Sequence, residues 1–303
     1  MEKKSAFIAI VGVPNVGKSS ILNVLIGEKV SIVSPKPQTT RTRIMGILTR
    51  GETQLVFIDT PGTHEPKTRL GQYMEKSVRS SIASVDACLL VVAAGKNNLK
   101  PAEVKLIKSL KTLKVPVILA INKIDLLKDK SVLMRQISEV SSMIDCVAVV
   151  PISAKTGDGL EDLLDELKKF AVCEGHFFPE DALTDQPESV LVAEVIREKI
   201  LRVTREEVPH GVAVHVEKMP EREDGRLMDI DATIYCEKAT HKGILIGKHG
   251  DMLKEIGSQA RAEIENFFGV NVNLQIWVKV KEDWRNRAEL LKNFGFDEKA
   301  LDM

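Results

Sequence analysis

Apolar runs follow two different orders along this chain. From about residue 5 to 170, short β-branched runs alternate with longer stretches of helical spacing. Strand candidates begin near Ala6, Ile44, Gln54, Ala87, Val115 and Val147, and helical patterns such as 101–112 and 129–143 lie between them. This alternation predicts an α/β domain, a mostly parallel sheet with helices on both faces. Functional residues then belong at the carboxyl ends of the strands. Leu160, Leu163, Leu164 and Leu167 mark a closing helix over 159–170, so the first domain is expected over residues 1–170. Residues 171–189 carry two prolines and no periodicity, and read as a flexible linker.

Beyond the linker the order changes. A helical stripe of Val192, Val195, Ile196, Ile200 and Val203 precedes two strand candidates, 211–218 and 228–238. The second strand alternates through Ile230, Ala232, Ile234 and Cys236, and a charged turn over 220–226 joins the pair. A short helix over 239–246, a longer one over 251–268 and a last strand over 272–280 complete an α-β-β-α-α-β unit, expected over residues 190–283. The longer helix shows Leu253, Ile256, Ala260, Ile264 and Phe267 as its buried face. Residues 284–303, with Trp284, Leu290, Leu291, Phe294 and Phe296, read as a short helix and tail.

Composition adds bounds. The 303 residues are 44% apolar and 28% charged, with 43 Lys and Arg against 43 Asp and Glu. That is a globular composition of about two domains, with no overall basic footprint. No apolar run approaches the ~18 residues of a membrane span. Lys3 and Lys4 precede a strand-like run, not a signal peptide, so a cytoplasmic protein is expected. The four cysteines lack C-x-x-C spacing and the six histidines lack ligand spacing, so the thiols read as small, reduced hydrophobes.

The chemistry lies in four motifs at predicted strand ends. Gly12-Val13-Pro14-Asn15-Val16-Gly17-Lys18-Ser19, followed by Ser20, joins a strand to a helix. It matches G-x-x-x-x-G-K-[ST], whose backbone N–H groups and helix N-terminus cradle phosphates. Lys18 then reaches the terminal phosphates, and the Ser19 hydroxyl takes a place on Mg²⁺. A second strand ends in Asp59-Thr60-Pro61-Gly62. Asp59 belongs near the metal, mostly through water, and the Gly62 N–H meets the outermost phosphate. A third ends in Asn122-Lys123-Ile124-Asp125. Asp125 accepts hydrogen bonds from N1–H and the 2-amino group of guanine, a donor pair that adenine lacks. Asn122 ties this base loop to the phosphate loop, and the Lys123 stem covers the ring. Ser153-Ala154-Lys155 follows the last strand, with a backbone N–H for guanine O6.

In this order the four motifs resemble the translation-factor class of Ras-like GTPases. The resemblance implies GTP and GDP as ligands, Mg²⁺ near Ser19, Thr40 and Asp59, and hydrolysis served by Lys18, Thr40 and Gly62. Thr40 is taken as the switch threonine ahead of its neighbour Thr39. Ras-like enzymes place Gln just after D-x-x-G, where this chain has Thr63 and then His64. A short hydroxyl does not reach the attacking water as Gln does, so slow turnover is expected; His64 as a base is the lesser alternative. In related GTPases the residue matching Asn15 helps hold a monovalent cation, which implies stimulation by K⁺.

The second domain places Gly247-Lys248-His249-Gly250 between two helices and so resembles a type II KH domain. Its G-x-x-G loop lets a nucleic-acid backbone pass close. From residue 187 on, 18 Lys and Arg face 22 Asp and Glu, but Lys238, Lys242, Lys248, His249 and Lys254 cluster around the loop. A local basic groove suffices for a single strand and limits non-specific binding. Together the two domains resemble the Era family of bacterial GTPases. That resemblance implies binding near the 3′ end of small-subunit ribosomal RNA, assistance to 30S assembly, and a second domain oriented by the nucleotide. It also implies peripheral association with the inner membrane in some members. A monomer is expected, with the C-terminal segment packed on the sheet or touching RNA. The other classes weighed are a passive RNA-binding factor that carries GDP and a small-molecule phosphotransferase. The N-K-x-D and S-A-K motifs argue against the phosphotransferase.

Overall fold

The computed structural model describes residues 2–62, 66–95, 99–129, 131–223 and 225–297. The described chain forms two compact units that divide between Asp185 and Gln186, with Thr68–Leu70 counted in the second.

In the first unit the strands are β1 (Lys4–Val11), β2 (Ile44–Arg50), β3 (Thr53–Asp59), β4 (Ala87–Ala93), β5 (Val117–Asn122), β6 (Ala148–Pro151) and β7 (Cys173–Glu174). The helices are α1 (Lys18–Ile26), α2 (Arg69–Ala83), α3 (Pro101–Leu113), α4 (Ser131–Ser141) and α5 (Leu160–Lys168). The sheet order is β2-β3-β1-β4-β5-β6, parallel except for β2 against β3, with the short β7 antiparallel to β1. Side chains alternate across a strand, so one sheet feeds two cores. Ile8, Ile10, Phe57, Leu89 and Ile118 pack with Ile21 and Leu22 of α1 and with Leu163 and Leu167 of α5. Ala9, Val11, Leu90, Val92 and Leu119 pack with Val78 of α2, Leu106 and Ile107 of α3, and Val140 of α4. All seven residues of β4 are buried, as a strand covered on both faces requires.

Register lines the motifs up: Ile10 pairs with Asp59, Ala93 with Asn122, and Ile121 with Pro151. Helix α2 has no counterpart among the patterns singled out above. Its inward face includes the buried serines Ser77 and Ser81, and the Ser81 hydroxyl donates to the Ser77 carbonyl at 2.8 Å. Polar residues therefore interrupt the apolar stripe.

The segment expected as a free linker is fastened to this unit as far as Asp185. Buried Gln54 of β3 donates to the Phe178 carbonyl at 3.0 Å and accepts from the Phe177 and Phe178 amides at 2.9 and 3.0 Å. Ser5 donates to the Gly175 carbonyl, and the Ile47 amide donates to the Leu183 carbonyl. Thr184 donates to the Met45 carbonyl at 2.6 Å, and the Phe7 and Phe177 rings lie 4.8 Å apart. These are mostly backbone attachments, which leave no periodic signature in the side chains.

The second unit contains α6 (Glu188–Val203), β8 (Val212–Lys218), β9 (Leu227–Cys236), α7 (Ala239–Ile246), α8 (Asp251–Phe268), β10 (Asn271–Val280) and α9 (Ala288–Asn293). Central β9 runs antiparallel to β8 and parallel to β10. Ile230, Ala232, Ile234 and Cys236 point into a core shared with Ile196, Ile200, Ile256, Ala260 and Ile264. On α8, Phe267 is 38% exposed, contrary to expectation, and Phe268 packs on the core instead. Helix α6 also buries Arg197, Glu198 and Lys199, which an apolar stripe does not announce. Arg197 forks onto Glu194, Glu198 meets Lys199 and Arg202, and Lys199 also meets Glu263. The described part of the C-terminal segment packs on this unit. Trp284 is fully buried, donates to the Gly211 carbonyl at 2.9 Å, and lies against Phe294 and Phe296.

Candidate nucleotide and RNA sites

The loop from Gly12 to Gly17 joins the end of β1 to the start of α1. Gly17 caps α1 with φ 103°, and a Cβ there would fall on the Asn122 side-chain amide, so only glycine fits. A Cβ on Gly12 would come 2.6 Å from the Val91 carbonyl oxygen. Lys18 is buried and lies back over the loop, its ammonium donating to the Gly12 and Val13 carbonyls at 3.0 and 3.3 Å. Burial lowers its pKa to about 8, against the opposing pull of Asp59.

Three hydroxyls converge on Asp59. Its Oδ2 accepts from Ser19 at 2.6 Å, Ser31 at 3.1 Å and Thr40 at 3.4 Å, and the Ser19 and Thr40 oxygens lie 3.0 Å apart. Burial raises the Asp59 carboxyl, while Lys18 and the three hydroxyls pull it down. Its Oδ1 is buried with no hydrogen-bond partner among the described residues. Thr39 instead donates to the Lys36 carbonyl at 2.6 Å, away from this cluster. Thr60 ties β3 to β1 through the Ile10 carbonyl. A Cβ on Gly62 would come 2.8 Å from Pro14, so the D-T-P-G turn lies directly against the phosphate loop. Thr63 and His64 lie outside the described residues.

On the base side, Asn122 joins three loops. Its Nδ2 donates to the Val16 carbonyl at 2.9 Å, and its Oδ1 accepts from the Lys123 and Ala154 amides at 2.8 and 3.0 Å. Lys123 donates to the Asn15 carbonyl at 2.6 Å. Asp125 is exposed, with Oδ1 accepting from Ser153 at 2.7 Å; its carboxylate is not already dehydrated. Lys155 is exposed beyond them. Asn15 donates its side-chain amide to the Pro35 carbonyl at 2.6 Å.

Sequence reading passed over Ser31 and Asn23. Ser31 is a buried polar residue between buried Val30 and Ile32, and that interruption was the available signal.

In the second unit, Gly247 (φ 75°), His249 (φ 56°) and Gly250 (φ 85°) make the sharp turn between α7 and α8. The two glycines differ. A Cβ on Gly247 would come 2.7 Å from the Met252 Cβ, whereas one on Gly250 meets nothing within 4 Å. Lys248, His249 and Lys254 are exposed, and Lys242 is half-buried. Ile244, 48% exposed on α7, adds an apolar surface before the loop.

Two family models match the chain: a 50S ribosome-binding GTPase over residues 7–123 and a KH domain over residues 207–285. GTPase Era of Ruminiclostridium cellulolyticum is 50% identical over 299 residues, covering 98% of each protein. The chain belongs to the GTPase Era family. GTPase Era of Caldicellulosiruptor saccharolyticus is 46% identical and covers 99% of this chain and 100% of its own. A crystal structure of Era with MgGDPNP and nucleotides 1506–1542 of 16S ribosomal RNA matches at 39% identity and TM-score 0.93, covering 97% of this chain and 99% of that one. An Aquifex aeolicus Era variant bound to GDP·AlF₄⁻ matches at TM-score 0.92, with the same identity and coverage. As an Era-family protein the chain is a GTPase, with a Ras-like P-loop domain followed by a KH domain. Among the described residues no helix is long and apolar enough to cross a membrane.

Proposed function

We propose that this Era-family GTPase is a switch that binds single-stranded RNA near the 3′ end of small-subunit ribosomal RNA, assists 30S assembly, and is reset by GTP hydrolysis. The observation that carries the reading is the meeting of Ser19, Thr40 and Asp59 at one point. Thr40 comes from the loop between α1 and β2 and is already buried beside Ser19 and Asp59, so a ligand seated there bears on the position of that loop.

Mg²⁺ fits this cluster: two hydroxyls stand beside a buried carboxylate whose second oxygen lacks a donor. When bound, the ion neutralises charge on the β- and γ-phosphates. Lys18 leaves the loop carbonyls to pair with those phosphates, and the Gly62 amide holds the γ-group. Asn15, Val16, Gly17, Lys18, Ser19 and Ser20 wrap the phosphates with backbone N–H groups, Gly12 and Pro14 shape the loop, and Thr60 and Pro61 set the Gly62 turn. Asp125 selects guanine, Lys123 covers its face, and the Ser153–Lys155 loop meets O6. We also propose that Asn15 serves a monovalent cation, so that K⁺ stimulates hydrolysis; equal rates in K⁺ and Na⁺ overturn this. The protein acts as a monomer in the cytoplasm, and any contact with the inner membrane is peripheral.

In the RNA loop, Lys248, His249, Lys242 and Lys254 meet the phosphate backbone, while Gly247 and Gly250 let it approach. The test compares binding to a 16S 3′-end oligonucleotide in GDPNP and GDP, with single-turnover hydrolysis measured with and without RNA. We expect affinities at least ~5-fold apart between nucleotides. Equal affinities, together with a hydrolysis rate indistinguishable from zero, favour the passive carrier. Lys248→Glu with Lys254→Glu, both at exposed positions, should weaken the oligonucleotide and spare GTP. Gly247→Asp is unsuitable because its side chain would strike Met252 and disturb the turn itself.

A further inference from the structure

Ser31 is the third hydroxyl on Asp59, and the metal reading leaves it without a task. The other two donors, Ser19 and Thr40, are themselves proposed to face Mg²⁺. Ser31 is different: it is 2% exposed and clamped from behind. Asn23 donates to the Ser31 carbonyl at 2.7 Å and accepts from the Val30 and Ser31 amides at 3.1 and 2.9 Å. Asn23 lies one helical turn beyond Ser19 on α1, so both project from the same face of that helix. Thus α1 supplies one hydroxyl to Asp59 directly and a second through the Asn23 clamp.

A carboxylate that must meet a divalent cation needs its plane fixed. Ser31, held on its own backbone, donates to the same Oδ2 that Ser19 and Thr40 reach, and so orients the carboxylate while leaving a second lone pair on Oδ2 and the whole of Oδ1 open to the ion. We infer that Ser31, clamped by Asn23, is a positioning residue that orients Asp59 for Mg²⁺ and thereby sets how tightly the metal-bound nucleotide is held. This rests on the proposal above that Asp59 faces the metal. Ser31 touches neither metal nor nucleotide and acts only through Asp59.

The experiment follows release of a fluorescent GDP from the full-length protein as Mg²⁺ is titrated, with a parallel measurement in EDTA. Ser31→Ala should raise the half-saturating Mg²⁺ by about ten-fold, as loss of a group that orients a metal-binding carboxylate typically does. The rate in EDTA should be unchanged. Ser31→Cys keeps the shape with a weaker donor and should fall between. Asn23→Ala should shift the Mg²⁺ dependence in the same direction as Ser31→Ala. In an Asp59→Asn background, Ser31→Ala should add nothing, because the partner it orients is gone. Unchanged half-saturation in Ser31→Ala overturns the inference, and so does equal acceleration with and without Mg²⁺, which marks a merely structural role. If Asp59→Asn leaves the Mg²⁺ dependence of the wild type intact, the metal reading itself fails, a result distinguishable from failure of Ser31 alone.

Discussion

Asp125 meets Ser153 with one oxygen and solvent with the rest of its carboxylate, so the cost of a wrong base arises only when the base itself excludes water. Asp125→Asn replaces an acceptor by an amide that can donate. Calorimetry should show GTP affinity falling by about 100-fold, the value of two lost hydrogen bonds to a charged group, with xanthosine triphosphate gaining. A second carboxylate gives a pH signature. The Arg222 fork and the Asn273 amide hold Asp229 down at about 2 from its usual 3.8. A depressed folded-state pKa means that this stabilisation is complete above the unfolded value of 3.8 and is lost as pH falls through about 2. NMR titration should place the Asp229 midpoint near 2 in the wild type and closer to 3.8 in Arg222→Ala. Lys18, Asp59, Asn122 and Asp125 were legible as residues because each belongs to a motif whose spacing encodes chemistry. Ser31 was not, since a lone serine in an apolar run carries no spacing.

At the scale of elements, the strands and helices that carry periodic side chains were readable. Helix α7 and helix α8 run over the expected residues, and β9 turns its alternating residues inward. Reading failed where backbone or ion pairs decide the packing. Helix α6 buries Arg197 against Glu194, and Glu198 and Lys199 against each other, Arg202 and Glu263, and the 173–185 segment is held largely through its own main-chain groups. Gln54 is central to that attachment, with three bonds to Phe177 and Phe178. Gln54→Ala would leave those backbone groups unpaired, at about 1–3 kcal/mol. Limited proteolysis should then cleave between residues 175 and 184 several-fold faster than in the wild type, with GTP affinity unchanged.

For the whole molecule, the two units have separate hydrophobic cores, one pair of clusters on the first sheet and one cluster in the second unit. Denaturation should therefore show two transitions. GDP with Mg²⁺ at about 100 times its dissociation constant should stabilise the first by about 2.7 kcal/mol and leave the second in place. A single transition displaced as a whole would contradict independent cores. Composition pointed to two domains, and periodicity ended the first at residue 170, whereas the compact unit runs on to Asp185. The periodic helix begins at Glu188, whereas the non-periodic chain before it already belongs to the first unit.

The Leu183 and Thr184 contacts have one more outcome. They lie along β2, the outermost strand of the sheet on that side. An outermost strand left bare is a template on which other chains can add, and that is how soluble proteins begin to aggregate. By lying over β2, the connecting segment shields the molecule from copies of itself. A chain in which it peels away should turn cloudy at concentrations where the intact protein stays clear.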